Sequence, residues 1–361
     1  MPCKKTSFRD SGLAGELLAR IERDAPSETI QIMEVCGTHT MAIFRHGIKR
    51  LLPPSIRLIS GPGCPVCVTP ISYVDRAIAL SSLPDTVIVT FGDLLRVPGS
   101  YSSLEQENAK RADVRSVYSP LDALELARCF PEKKVIFLGV GFETTTPTVA
   151  AAILSARSQN LKNFKVLAAN KVIPPPMRAL ISGGEVRLDG LLCPGHVSAI
   201  IGSDAYAFLA EEFGIPCVVA GFEPLEILGA ISFLLSQKKE GVARIDNLYR
   251  RFVKADGNPK ARAVVSEVFE PADAEWRGLG FIPGSGLEIR PEFEEFDASL
   301  IEVEVPKSRE PFGCRCGEVL RGMLEPRECP LFGKACTEER PVGACMVSSE
   351  GSCAAAFRYG N

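Results

Sequence analysis

Cys36-Gly37-Thr38-His39-Thr40 sets a thiol and an imidazole three residues apart. With Gly37 easing the turn, both can reach one metal ion, and thiolate with imidazole suits iron, zinc or copper. Two ligands leave the shell incomplete, so a partner or another loop must supply the rest. The plainer alternative is a buried cysteine beside a surface histidine. Gly61-Pro62-Gly63-Cys64-Pro65-Val66-Cys67 is a CxxC that follows a strand, the pattern of a dithiol–disulfide pair. Pro65 suits the first helical position. Cys64 then sits at a helix N-terminus, where amide donors and the dipole lower a thiol pKa. The competing reading, half of a structural zinc site, lacks a second CxxC in the chain.

Gly139-Val140-Gly141-Phe142-Glu143-Thr144-Thr145-Thr146-Pro147 takes a strand through a glycine turn into a helix. It lacks the third glycine of a dinucleotide fingerprint, and no phosphate-binding GxxxxGK[ST] occurs. Glu143 and its threonines either cap a helix or offer a carboxylate and hydroxyls to a site. Cys193-Pro194-Gly195-His196-Val197-Ser198 holds one of only 3 histidines, two of which fall at strand ends. The third, His46, reads as a solvated or packing residue, and Cys3, Cys129 and Cys217 as incidental thiols, the last two in the core.

The chain has 13 cysteines, and Cys314, Cys316, Cys329, Cys336, Cys345 and Cys353 crowd its last 48 residues, where there is no histidine. A sulfur-only donor set favours a [4Fe–4S] cluster or a four-cysteine zinc. The absence of paired CxxC motifs tilts the reading to iron–sulfur. Of the six, Cys316, Cys329, Cys336 and Cys353 are taken as ligands, although spacing alone does not settle the choice. The nearby stretch 346–351 either caps a helix or brings Glu350 to the thiol chemistry.

These residues need a frame. Short apolar runs at 30–35, 56–59, 87–91, 115–118, 135–140, 165–169, 190–192 and 217–220 read as strands. Helical patterns at 13–23, 73–81, 122–129, 148–159 and 224–236 alternate with them. That alternation implies an α/β protein with parallel sheets covered on both faces. The expected organisation is two similar α/β domains, 1–125 and 126–240, then a helical and cysteine-rich module, 241–361. Gly-Phe-Glu at 141–143 and 221–223 hints at duplication. The stretch 241–268 reads as helical, and 300–305 as a strand. In parallel sheets ligands gather at the carboxyl ends of strands. Cys36, His39, Cys64, Cys67, Asp93, Glu143, Cys193, His196 and Glu223 all fall there, which predicts a shared cleft.

At 361 residues the chain is too long for one core. Its net charge of −3 gives no reason to expect a nucleic-acid or membrane surface. No apolar run approaches the roughly 18 residues of a membrane helix. The first ten residues lack the apolar region of a secretory signal, so a reducing, cytoplasmic setting is expected.

Taken together, Cys-Gly-Thr-His-Thr at 36–40, Gly-Pro-Gly-Cys-Pro-Val-Cys at 61–67 and Gly-Phe-Glu-Thr-Thr-Thr-Pro at 141–147 resemble the HypD family of hydrogenase maturation factors. So do Pro-Gly-His-Val-Ser at 194–198, Cys-Arg-Cys-Gly-Glu-Val-Leu at 314–320 and Gly-Ala-Cys-Met-Val-Ser-Ser-Glu-Gly at 343–351. The resemblance implies a redox-active scaffold that assembles the Fe(CN)2CO unit of [NiFe]-hydrogenase. It implies a small HypC-type chaperone and a HypE-type cyanide donor as partners, and one C-terminal [4Fe–4S] cluster. The family's cluster spacing, Cys-x12-Cys-x6-Cys-x16-Cys, falls on Cys316, Cys329, Cys336 and Cys353. Its iron-holding pair falls on Cys36 and His39, and its CxxC thiols on Cys64 and Cys67. Glu143, His196 and Glu350 are candidate proton or hydrogen-bond groups around them. Electrons are expected to pass from the cluster through Cys64 and Cys67 to iron at Cys36. Read without the resemblance, the same residues also suit a stand-alone Fe–S/dithiol oxidoreductase or a zinc-stabilised interaction module.

Overall fold

The structure is a computed structural model and describes residues 10–360. Cys3 and the N-terminal stretch lie outside the described residues. Among the described residues eleven strands form two parallel sheets and one hairpin. The first sheet joins β1 (Ile30–Glu34), β2 (Ile56–Ser60), β7 (Gly190–Pro194), β8 (Cys217–Ala220) and β9 (Ile245–Asn247) in the order β2-β1-β7-β8-β9. The second joins β3 (Thr86–Thr90), β4 (Asp113–Ser116), β5 (Lys134–Gly141) and β6 (Phe164–Asn170) in the order β4-β3-β5-β6. Strands such as β3, Thr-Val-Ile-Val-Thr, are buried at every position, as strands covered on both faces must be.

The expected α/β class with parallel sheets is what folds. The strands do not, however, divide at residue 125. β3 and β4 leave β1 and β2 and join β5 and β6, while β7 and β8 return to β1. Alternation along a chain reveals how many strands exist, not which edges they find. Ile32 of β1 pairs with Gly190 of β7 across the whole second sheet. Both sheets nonetheless share one order: the first strand lies between the second and the third. The Gly-Phe-Glu repeat does not follow that symmetry, since it comes after β5, which pairs with its sheet's first strand, and after β8, which does not.

Four other expectations change. The stretch 241–268 holds β9, a loop and the helix Pro259–Val268 rather than one helix. A two-stranded antiparallel hairpin, β10 (Phe269–Trp276) and β11 (Gly280–Ile289), occupies a region whose Gly, Pro and acidic residues read as irregular. Residues 301–310 form no strand. Cys217 is buried in the core, but Cys129, the last residue of the helix Pro120–Cys129, is exposed. Among the described residues no helix is long and apolar enough to cross a membrane.

Candidate metal and thiol site

In an open parallel sheet the crevice opens where strand order reverses, between the first strand and the third. Here those points lie at the ends of β1 and β7, and of β3 and β5. Cys36 follows β1 and His196 follows β7, while Asp93 follows β3 and Glu143 follows β5. The C-terminal loop joins the two crevices. Ser348 Oγ donates to Asp93 Oδ2 at 2.8 Å, and Thr38 Oγ1 donates to Glu350 Oε1 at 2.6 Å. Gly37 lies so close to Glu350 that a Cβ on it would fall 2.5 Å from the Glu350 Cβ.

Cys36 is the extended N-cap of the helix Gly37–Arg45. Its N–H donates to Glu34 Oε2 at 3.0 Å, and Thr40 Oγ1 donates to the other oxygen of the same carboxylate. Glu34 is buried, and desolvation raises its pKa to about 7. The Cys36 thiol is pushed up to about 12, first by burial and then by the Glu350 charge. His39 is fully buried, with Nε2 2.9 Å from the Gly221 carbonyl oxygen. A carbonyl only accepts, so Nε2 carries the proton. Burial lowers the His39 pKa to about 4, leaving a neutral ring. Its Nδ1 is a buried lone pair with no hydrogen-bond partner among the described residues. A neutral imidazole oriented by a backbone carbonyl, with its other nitrogen bare, is the form that ligates a metal. The Phe222 ring lies between those of His39 and His196, with centroids 4.6 and 4.1 Å away. Loss of solvation lowers the pKa of His196, and Glu350 works against that shift.

The CxxC loop meets this site through its backbone. Gly37 N–H donates to Gly63 O at 2.9 Å. A Cβ on Gly63 would lie 2.2 Å from Cys36 N, so no larger residue fits between the two loops. Cys64 caps the short helix Pro65–Val68, with Pro65 at its first position. Cys64 and Cys67 are joined as a disulfide across that turn, Cα to Cα 5.3 Å, and both are buried. The Cys67 N–H lies 3.2 Å from Cys64 Sγ, a donor that favours negative charge on that sulfur.

Glu143 accepts the Ile173 N–H on Oε1 at 2.9 Å, while its buried Oε2 has no partner among the described residues. Burial raises its pKa to about 7. Buried Tyr206 links the two sides. Its hydroxyl lies 3.3 Å from Ser198 Oγ, and burial first, then the neighbouring Cys193, Glu143 and Cys36, raise its pKa well above the usual tyrosine range. Sequence reasoning missed Tyr206, which no motif marks. It also missed Glu34, although a carboxylate ending an apolar strand just before Cys36 was a usable signal.

Cys316, Cys329, Cys336 and Cys353 are all buried. The Cys353 thiol is pushed well up by burial and then by the sulfurs of Cys316, Cys336, Cys314 and Cys329. The four expected ligands thus share one neighbourhood. Cys345 and Cys314 share it too: Cys345 Sγ is 2.6 Å from Cys316 Sγ, and a Cβ on Gly343 would fall 2.7 Å from Cys314 Sγ. Among the described residues no three metal-binding side chains converge on a single ion's position. A [4Fe–4S] cluster takes one thiolate per iron and needs no such convergence, so a sulfur-only, dry donor set fits it. Two of this module's packing contacts lead to the Cys36 and CxxC loops. The helix Ser352–Tyr359, carrying Cys353, packs on the helix Gly37–Arg45, and the turn Ala344–Met346, carrying Cys345, packs on the helix Pro65–Val68. Cys64, Cys67, Phe142, Trp276, Cys316, Cys345 and Cys353 belong to one continuous core.

A family model named HypD and described as the hydrogenase formation hypA family matches residues 12–360. A hydrogenase maturation factor HypD of Azotobacter vinelandii is 47% identical, over 98% of this chain and 96% of its own. One of Rhodobacter capsulatus is 48% identical, over 98% and 97%. One of Escherichia coli K12 is 46% identical, over 91% and 89%.

Proposed function

This chain belongs to the HypD family of hydrogenase maturation factors, and from that premise we propose that it is the scaffold on which the Fe(CN)2CO unit of [NiFe]-hydrogenase is built. The observation that carries this reading is the bare, buried Nδ1 of His39, one helical turn from Cys36 at the crevice between β1 and β7. Iron is the substrate there. Thiolate and neutral imidazole give it two donors, and a HypC-type chaperone supplies further ligands while a HypE-type donor delivers cyanide. With its thiol held up at about 12, Cys36 must lose a proton as iron binds. Glu350, whose charge bears on both Cys36 and His196, is the group poised to take it. Glu143 holds a proton near neutral pH on the far side of the cleft.

Cys316, Cys329, Cys336 and Cys353 would hold a [4Fe–4S] cluster, which supplies one-electron transfer when bound. The Cys64–Cys67 loop touches both regions, the Cys36 backbone through Gly63 and the turn Ala344–Met346 through the helix Pro65–Val68. Opening the Cys64–Cys67 disulfide takes two electrons and two protons and leaves two thiols beside the iron ligands. Gly63, touching both loops, fixes that adjacency. The protein acts in the cytoplasm, with no nucleic acid or membrane as partner. The test is infrared spectroscopy of the chain purified anaerobically with its small chaperone. Cyanide and carbonyl stretches that vanish in Cys36→Ala and His39→Ala are the expected result. Wild-type bands that persist in both variants would overturn the assignment.

A further inference from the structure

Arg277 is a buried cation whose donors are not spent. Its side chain is 4% exposed. Nε faces both oxygens of Glu310 at 3.2 Å. Nη2 is 3.1 Å from Glu310 Oε2 in ion-pair contact, yet neither Nη1 nor Nη2 has a hydrogen-bond partner among the described residues. Burying guanidinium donors without acceptors is costly, so such a group marks a missing acceptor. The backbone sets Arg277 between the CxxC helix and the turn that carries Cys316. The Arg277 N–H donates to Val68 O at 2.9 Å, one residue beyond Cys67. The next residue, Gly278, has φ +79°, and a Cβ on it would fall 2.3 Å from the Cα of Gly317, beside Cys316. The guanidinium charge bears on the thiols of Cys314, Cys316 and Cys345. Neutral thiols are weak acceptors, whereas cluster thiolates are strong ones.

We propose that Arg277 is a positioning residue for the C-terminal thiol set, donating Nη–H···S hydrogen bonds to the sulfur of Cys316 when a [4Fe–4S] cluster occupies that set and thereby raising its reduction potential. This rests on the cluster reading above. Four thiolates around such a cluster leave a net negative charge that grows on reduction, so a fixed neighbouring cation favours the reduced form. Hydrogen bonds to the sulfurs act in the same direction. Arg277 is also anchored to the end of the Cys64–Cys67 helix, so it ties the potential of one centre to the geometry of the other. Glu310, 59% exposed, holds the guanidinium from the solvent side through Nε and an ion-pair contact at Nη2, and Nη1 has no partner of either kind among the described residues.

The test is a potentiometric titration of the anaerobically prepared full chain, followed by the electron spin signal of the reduced cluster. Iron content and absorption near 400 nm are measured alongside. Losing one charge-assisted hydrogen bond in Arg277→Gln is expected to disfavour reduction about tenfold, or about 59 mV for one electron. Arg277→Lys, which keeps the charge but not the fork, should fall between. A readout without substitution is the Fe–S(Cys) vibrational spectrum of the wild-type chain in H2O and D2O, where exchange of N–H···S protons should shift the bands. Variants with an intact cluster and unchanged potential, or bands insensitive to D2O, overturn the role of Arg277. A wild-type chain with neither the absorption nor the spin signal overturns instead the cluster reading beneath it.

Discussion

Replacing Glu143 by Gln turns a buried carboxyl into a test of the site's dryness. In the folded chain desolvation lifts this carboxyl from 4.5 to about 7. Below pH 4.5 it is protonated folded and unfolded alike, and stability is indifferent to it. Between 4.5 and 7 the unfolded chain releases the proton while the folded chain keeps it. The unfolded state then binds fewer protons, so stability falls as pH rises. At about 1.4 kcal/mol for each pH step, the wild type loses about 3 kcal/mol across that window, and the loss is complete above 7. Glutamine keeps an oxygen for the Ile173 N–H, still leaves one polar atom without a partner, and does not titrate. Urea unfolding at pH 5 and pH 8, read by circular dichroism, gives the two stabilities of each protein. Because part of the loss has already occurred at pH 5, the Gln variant should gain about 2.5 kcal/mol on the wild type between those values. Glu34, raised to about 7 for the same reason, has the same slope in both proteins and drops out of the difference. Parallel curves for the two proteins would refute the claim that Glu143 is held dry and protonated.

Three further outcomes are expected. Gly63→Ala forces a Cβ to 2.2 Å from Cys36 N, where only backbone can yield. It should cost about 1–3 kcal/mol in urea unfolding and release iron from the chaperone-bound chain. Reduction followed by thiol counting under denaturing conditions should reveal two additional thiols in the wild type and none from this pair in Cys64→Ser. Thr38→Val removes the 2.6 Å hydrogen bond to Glu350 and should cost about 1–2 kcal/mol. Its local mark should be faster amide exchange over residues 348–351 than in the wild type.

The chemistry of this protein is carried by short runs that a sequence displays directly. Cys36, Cys64, Glu143 and His196 each sit on the turn after a strand, and alternation of apolar runs with helical patterns is enough to find those turns. What chain order hides is which turns face one another. The eight apolar runs from 30 to 220 are all strands, but β9 and the hairpin escape the pattern, and β3 and β7 change partners, because pairing depends on edges left free in space rather than on nearness in sequence. The hairpin of β10 and β11 was invisible because Pro271, Gly284 and Gly286 interrupt its alternation. Trp276 and Arg277 at its end therefore went unnoticed, although they lie against the sulfur-rich core. Tyr206 and Glu34 matter through burial and neighbours, and no spacing rule reports either.

The nesting of one sheet inside the other has a consequence for how the chain comes into being. The strands of the second sheet are contiguous, from Thr86 to Asn170, and can pair as soon as that stretch exists. The first sheet must wait, because β1 finds its inner neighbour only when Gly190–Pro194 has been made. Pairings that close so long a loop form late and slowly. During synthesis Cys36 and Cys64 emerge early but stay unseated until β7 arrives, and the loop carrying Glu350 comes last of all. The crevice that gathers Cys36, His39 and Glu350 is therefore completed only late in translation, and a truncated or stalled chain carries those residues without the arrangement that brings them together.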